Sequence, residues 1–495
     1  MLNLPHDLYT AAQTRELDRI ITEQHDIATS TLMARAGAAA LTTIKNHWPQ
    51  AERLLIVCGT GNNGGDGFDL AKQALEQDYR VVVYQVGDAN KLSLETAAAR
   101  DALLATGAEV HTFKDTLPST DVIVDAMLGT GINREITGQF KAAIEAINND
   151  KRAPVLSLDS PSGLHSDTGS ALGIAVKASI TLSFIGLNKG LFTGEGPNYC
   201  GTVCFDSLKI PSSIYRELTP IARRVSLEND AAGLAARERT GHKGLYGHLL
   251  IIGGDHGMSG AARVAAEAGA RVGAGLTSIA TRSTHGPLLN LVRPELMCHG
   301  VEHADDLDPF LRPANALTIG PGLGQGEWGA SLFQKAVDSK LPLVVDADAL
   351  NLLSKNPQRH DQWILTPHPG EAARLLGCSS AEIQADRFAA VKELQNRYGG
   401  IIVLKGSGTL IYNGEAPTRL STWGNPGMGS GGMGDVLAGV IGGLLAQHFP
   451  LMDAACVGVT LHGMAGNKAA EKDGERGMLA MDLMPHLRHL SNLIY

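Results

Sequence analysis

From about residue 10 to residue 48, apolar side chains recur at helical spacing, in AAQTRELDRIITEQ and then TLMARAGAAALTTIKNHW, after which the period changes. Short apolar runs follow, RLLIVCG, RVVVYQVG, DVIVDAMLG, PVLSLDSPSG, ASITLSFIG and TVCFDSL, each separated from the next by a helical stretch. Strands alternating with helices predict parallel βαβ units. The pattern breaks between Pro211 and Gly241, in a polar, Arg-rich segment, and resumes with GHLLIIGGD, GLTSIAT, ALTIGPG, LPLVVDAD, WILTPHPGE and IIVLKGSG. A chain of 495 residues also exceeds what one ordinary core holds. We expect two tandem α/β domains, residues 1–220 and 221–495, of one class but without an evident repeat, because their loop signatures differ.

Composition narrows the field. Hydrophobic residues make up 44% and charged residues 19%, and no run approaches the roughly 18 apolar residues of a membrane span. The first twenty residues lack the basic, apolar and small-residue regions of a signal peptide, so a cytoplasmic protein without a membrane partner is expected. Cys200 and Cys204 are the close pair among six scattered cysteines, with no second pair to complete a zinc site, which points to free thiols. A net charge of -9 without a basic cluster argues against nucleic acid as a partner. Any phosphate-bearing ligand must then be held by local loops.

In open parallel sheets ligands collect beyond the carboxyl ends of the strands. The first such end, LLIVCGTGNNGGDGFDLA, spaces Gly59, Gly61 and Gly64 like a dinucleotide-binding fingerprint, with a helix expected near Phe68 and an acidic residue, Asp88, after the next strand. Asp66 argues against a pyrophosphate there, because a carboxylate at a helix entrance repels the anion that a helix N-terminus attracts. Two other readings stand beside it: Asn62, Asn63 and Asp66 meeting a polar ligand or hard cation, or a tight turn with Asp66 as a helix cap. IVDAMLGTGINRE adds Asp125 and a flexible glycine loop, and LSLDSPSGLHSDTG adds Asp159 and Ser162. Three polar strand ends converging on one crevice favour a ligand site.

Taken together, GTGNNGGDGFDLA, VDAMLGTG and SLDSPSGL resemble the YjeF N-terminal family, epimerases of hydrated NADH and NADPH, over roughly residues 10–215. The resemblance implies a Rossmann-like three-layer α/β/α domain and a potassium ion held by Asn63, Asp125 and Ser162. It implies that the hydrated nucleotide meets Asn62, Asn63, Gly64, Gly65 and Asp66, the loop Gly129, Thr130, Gly131, Ile132, Asn133, Arg134 and Glu135, and Asp159. Asp159 is the candidate acid/base, a carboxylate suited to that task if its surroundings raise its pKa.

In the second half, GNPGMGSGGMGDVLAGVIGGLLAQ sets a glycine-rich loop ahead of a helix dense in small residues. Such a loop is a cradle of backbone N–H groups for phosphate, and Asp435 within it can take a proton from an attacking hydroxyl. The bland reading makes Asp435 a helix cap. No Walker lysine pattern accompanies it. GPGLG, TPHPGEAARLL and LKGSGTLI place further small or polar residues past apolar runs, and His368 stands between two prolines on a rigid turn suited to binding. Asp346, Asp348 and Asn351 in VVDADALNLL fit a site and a helix cap equally well.

GMGDVLAG, TPHPGE, KGSGT and SGAARVAAEAGARVGAGL resemble the ribokinase-like ADP- or ATP-dependent NAD(P)H-hydrate dehydratases, over about residues 225–495. By that resemblance Lys405, Gly406, Ser407, Gly408, Thr409 and Gly434 meet ADP or ATP. Ala262 (or its neighbour Ala261), Gly322, His368 and Asp435 meet the hydrated substrate, and Mg2+ accompanies the nucleotide. The two resemblances together imply a bifunctional repair enzyme acting on NADHX and NADPHX. A hydroxymethylpyrimidine- or sugar-type kinase fused to a nucleotide-binding domain, and a binding module without turnover, are the rival readings. The small-residue face of ARAGAAAL suits helix packing between subunits, and so a homo-oligomer.

Overall fold

The computed structural model describes residues 4–492 apart from 115, 231–233 and 235. The chain divides into two compact units, up to Arg223 and from Arg224 onward. Among the described residues no helix is long and apolar enough to cross a membrane, and all six cysteines are free.

The first unit holds a seven-stranded sheet in the order Val110–Thr112, Arg80–Gln85, Arg53–Cys58, Val122–Ala126, Val155–Leu158, Ile180–Phe184, Thr202–Asp206. Every neighbouring pair is parallel. The chain winds outward from Arg53–Cys58 and then resumes on its other side at Val122–Ala126, so the switch point lies between these strands. Alternate residues of Arg53–Cys58 serve two cores. Leu54, Ile56 and Cys58 pack with helices Ala11–Gln24, Thr29–His47 and Asn62–Leu75, whereas Leu55 and Val57 pack with helix Gly138–Asn149. Burial on both faces explains why these strands read as unbroken apolar runs.

Three expectations change here. The helix after the glycine loop begins at Asn62 rather than near Phe68, with Gly61 as its cap and no side-chain cap bond. Asp66 therefore sits beyond the first turn and is not a cap. Asp88 lies past the strand that ends at Gln85 and caps the short turn Ala89–Lys91 through Asn90 N (3.0 Å). The small residues of ARAGAAAL are used inside the unit: a Cβ on Gly37 would lie 2.9 Å from Leu70 N, so helix Thr29–His47 rides directly on helix Asn62–Leu75. That face is covered within the chain and is no argument for association between copies.

The second unit repeats the winding order. Met297–Gly300, Leu276–Thr281, His248–Ile252, Ala316–Ile319, Leu343–Val345, Trp363–Leu365 and Ile401–Leu404 lie side by side and parallel. Thr409–Tyr412 and Thr418–Ser421 extend the sheet antiparallel. The glycine-dense helix Met433–Ala446 is buried against helix Ser259–Arg271, backbone on backbone: a Cβ on Gly439 would lie 2.0 Å from Ala265 O, and one on Gly443 2.6 Å from Gly269 O. Glycine is required there by contact between helices.

Candidate active sites in the two units

At the switch point of the first unit lies a cavity of about 980 Å3. Its wall includes Asn62, Asn63, Asp66, the whole loop Gly129–Glu135, and Asp159. Gly64 and Gly65 are not part of the wall. A Cβ on Gly64 would lie 2.2 Å from Gly59 O and one on Gly65 2.7 Å from Met33 Cε, so both serve close packing of the helix. Gly59 is pressed likewise against Met127 O. The fingerprint glycines thus bring the helix and the two central strand ends together, the use that such glycines have in Rossmann folds.

Asp125 and Ser162 are both fully buried and are not part of the cavity wall. Asp125 accepts hydrogen bonds from Ser162 Oγ (2.5 Å), Ser162 N (2.9 Å), Ser157 Oγ (2.9 Å) and Met127 N (3.3 Å). Asn63 donates through Nδ2 to Leu158 O (3.2 Å), which leaves its buried Oδ1 without a partner. A buried carbonyl oxygen with no donor, and a buried carboxylate with no cation paired to it among the described residues, are the kinds of group that suit a hard cation such as potassium.

Asp159 is held at φ 64°, as is Ile185 at the end of the adjacent strand. Left-handed backbone in these residues is costly and clusters at functional sites. Thr130 N donates to Asp159 Oδ2 (3.2 Å), and burial still pushes this carboxyl up to about 6. Burial likewise raises Asp66, with Asp159, Asp69 and Asp18 adding to the effect. The sequence reading missed one wall entirely. Helix Ala11–Gln24 contributes Thr14, Arg15, Asp18, Arg19 and Thr22, and Asp18 is pushed up to about 7 by burial and by Asp159. No glycine motif marks this helix; its periodicity alone reads as scaffold.

In the second unit, Lys405 follows strand Ile401–Leu404. Its Nζ reaches Asp346 Oδ1 (2.8 Å) and Glu371 Oε2 (3.7 Å), and Thr366 Oγ1 donates to the same Asp346 oxygen (2.7 Å). Asp346 stands at the start of helix Ala347–Lys355 but makes no cap bond with its side chain. Its carboxylate belongs to Lys405. Burial works against the ammonium, but Asp346 and Glu371 outweigh it and hold Lys405 above its ordinary pKa. Asp348 accepts from Gly324 N (2.9 Å) and so fixes the GPGLG loop, while Asn351 accepts from Arg374 Nε (2.8 Å).

Asp435 lies in the first turn of helix Met433–Ala446, whose cap is Gly432 at φ 89°. Asp435 is not the cap. Burial, reinforced by Asp346 and opposed by Lys405, raises its carboxyl to about 7. Gly434 abuts the ion pair: a Cβ there would lie 3.3 Å from Lys405 Nζ and 3.6 Å from Asp346 Oδ2. His368 caps helix Pro369–Leu376 by accepting through Nδ1 from Gly370 N (3.0 Å) and Glu371 N (3.4 Å), while its side chain remains half exposed. Ala262 is fully buried. Its neighbour Ala261 is partly exposed and would lie 3.2 Å from a Cβ on Gly322.

Arg387 escaped the sequence reading. Almost fully buried, it donates through Nη2 to the carbonyls of Leu404, Lys405 and Gly408 (3.2–3.3 Å), which shapes the turn Lys405–Thr409 from beneath. Gly406 (φ 138°) and Gly408 (φ 65°) supply the backbone freedom that this turn needs.

A model of the NAD(P)H-hydrate dehydratase family matches residues 249–488, and one for the YjeF-related protein N-terminus matches residues 29–190. The chain is 48% identical over 486 residues to the bifunctional NAD(P)H-hydrate repair enzyme Nnr of Coxiella burnetii, spanning 98% of this chain and 99% of that one. The chain belongs to the family of bifunctional NAD(P)H-hydrate repair enzymes. Among solved structures, a ribokinase-like superfamily protein of Enterococcus faecalis V583 is 27% identical, with a TM-score of 0.50, over 54% of this chain and 94% of that one. An ADP/ATP-dependent NAD(P)H-hydrate dehydratase of Bacillus subtilis, crystallised with ATP/Mg2+, is 32% identical with a TM-score of 0.48, over 54% of this chain and 96% of that one. In this member of the repair family, helix Ala11–Gln24 lies outside both matched ranges.

Proposed function

We propose that the first unit interconverts the R and S hydrates of NADH and NADPH, and that the second dehydrates the S form at the expense of ADP or ATP. The reading is carried by the likeness to a bifunctional repair enzyme along 98% of the chain. A dehydratase that accepts one epimer strands the other, so an epimerase on the same chain completes the task.

In the first unit the reacting ring carbon carries a hydroxyl beside an enamine nitrogen, so proton transfer can open and reclose that centre. Asp159 is the acid/base, its raised pKa suiting it to exchange protons near neutral pH. Asn62 and the loop Gly129–Glu135 hold the nucleotide. Asn63, Asp125 and Ser162 would hold potassium, whose positive charge would balance the buried carboxylate.

In the second unit hydroxide is a poor leaving group, so the ring hydroxyl is first converted to a phosphate ester. Asp435 takes the hydroxyl proton, the oxygen attacks the terminal phosphoryl group, the phosphoanhydride bond breaks with its pair going to the departing AMP (from ADP) or ADP (from ATP), and backbone N–H groups of the glycine loop stabilise the moving charge. Phosphate then departs with the C–O electron pair, and loss of a neighbouring ring proton restores the nicotinamide double bond. Lys405 to Thr409 and Gly434 hold the adenine nucleotide, and magnesium, when bound, would neutralise the charge of its phosphates. Gly322, His368 and Ala261 or Ala262 hold the hydrated ring.

A mixed R and S hydrate of NADH, supplied with ADP or ATP and magnesium, tests both halves through the return of NADH absorbance. Wild type recovers all of it, Asp435→Asn none, and Asp125→Ala only the S share. No recovery with either nucleotide would overturn the dehydratase reading, and accumulation of a phosphorylated product would replace it with a small-molecule kinase.

A further inference from the structure

We propose that Asp18 is the second acid/base group of the first unit's cavity, paired with Asp159 so that one carboxyl serves each face of the ring carbon bearing the hydroxyl. The inference rests on the epimerase reading above. Inversion through loss and return of water takes oxygen from one face and delivers it to the other, and a single fixed carboxyl at a strand end reaches one face.

Asp18 comes from a different element. Helix Ala11–Gln24 turns Thr14, Arg15, Asp18 and Thr22 to the cavity and buries Leu17, Ile20 and Ile21 behind them. The helix is fixed in place: Ala11 N donates to Asp167 Oδ1 (2.7 Å) and Thr14 Oγ1 to Asn188 Oδ1 (3.2 Å). Arg19 is engaged by Glu16 and Glu23, whereas no donor or cation among the described residues engages the Asp18 carboxylate. A half-buried carboxyl held on a rigid helix without a structural partner is free to exchange protons. The charged groups around it are Arg15 and Arg19 on its own helix, Asp66, Arg134, Glu135 and Asp159. In this setting Asp18 rises to about 7 and Asp159 to about 6, so the pair keeps one proton near neutral pH.

One carboxyl protonates the ring hydroxyl. The C–O bond breaks with its pair going to oxygen, water leaves, and the ring nitrogen lone pair forms C=N+. Water then adds to the opposite face, its surplus proton passes to the ionised carboxylate, and the π pair returns to nitrogen. One proton leaves the first carboxyl and one reaches the second, so the reverse turnover uses the same two groups with roles exchanged.

The test follows conversion of pure R hydrate of NADPH to the S form from about pH 5 to about pH 9 for wild type, Asp18→Asn, Asp18→Glu and Asp159→Asn. The expected result is a fall in kcat of about 100-fold or more for Asp18→Asn with KM little changed, loss of the alkaline limb of the pH profile, and partial rescue by Asp18→Glu. Retained kcat, or a loss confined to KM, overturns the proposal. If Asp18→Asn fails to fold, Asp18→Glu decides: a displaced alkaline limb supports the role and an unmoved limb overturns it. Wild type that leaves R hydrate unchanged would instead overturn the epimerase reading itself.

Discussion

The two units wind their parallel sheets in the same order, yet they surround their buried carboxylates differently. In the first, Asp125 sits among serines and backbone N–H groups, with no lysine paired to it among the described residues. In the second, Asp346 and Glu371 close on Lys405. On the proposed reading the first unit borrows a mobile cation and the second carries a covalent one. The location differs too. The first cavity opens at the switch point between Arg53–Cys58 and Val122–Ala126, whereas Asp346, Glu371, Lys405 and Asp435 gather beyond the later strands and a glycine-opened helix. A shared winding order therefore says where sites can form, and the residues just past each strand decide what chemistry they hold.

The contrast is broken most severely by Lys405→Met. It strands Asp346 and Glu371 without their cation, with an expected loss of about 3–5 kcal/mol in denaturant unfolding and loss of nucleotide-dependent dehydration. Next in size, Gly64→Ala and Gly439→Ala each press a methyl group into a carbonyl of the opposing backbone. Each should cost about 1–3 kcal/mol, read as a lower melting temperature. Equal tolerance of alanine would mean that the glycines serve ligands rather than packing.

Asn63→Ala sharpens the comparison from the other side. Epimerisation by wild type should quicken when potassium replaces choline in the buffer, and the variant should lose that response while dehydration of pure S hydrate keeps its own rate. The smallest effect concerns Asp435. Its folded pKa stands above the ordinary aspartate value, at about 7, so its stabilising contribution is complete at acid pH and is lost as pH rises through about 7. Asp435→Asn should therefore melt above wild type at alkaline pH and close to it at acid pH, while dehydrating no substrate. In wild type, dehydration should fall as pH drops below about 7 and the base takes up a proton.

Much of this was legible in the chain. Alternating apolar runs announced two α/β domains because a strand buried on both faces must be apolar throughout, and strand-end residues such as Asp159 and Asp435 stood out because parallel sheets expose chemistry only there. The glycine loop was harder to interpret. Its helix starts at Asn62, since Gly59 and Gly64 permit a backbone contact that no local preference reveals. Residues that act from other segments carried no signal at all. Asp18 reads as one polar position on an amphipathic helix, and Arg387 as one charge on another, until the fold brings the first to a cavity wall and the second beneath the turn Lys405–Thr409.

By itself the sequence determined the class of fold, the strand ends that bear polar chemistry and the family, because each depends on residues close together along the chain. Only the tertiary structure decided which carboxylates share a cavity, which one is neutralised by Lys405 and how far Asp18, Asp159 and Asp435 move from ordinary aspartates. Burial and charge proximity are properties of space, and they join residues that lie more than a hundred positions apart, as Asp18 and Asp159 do.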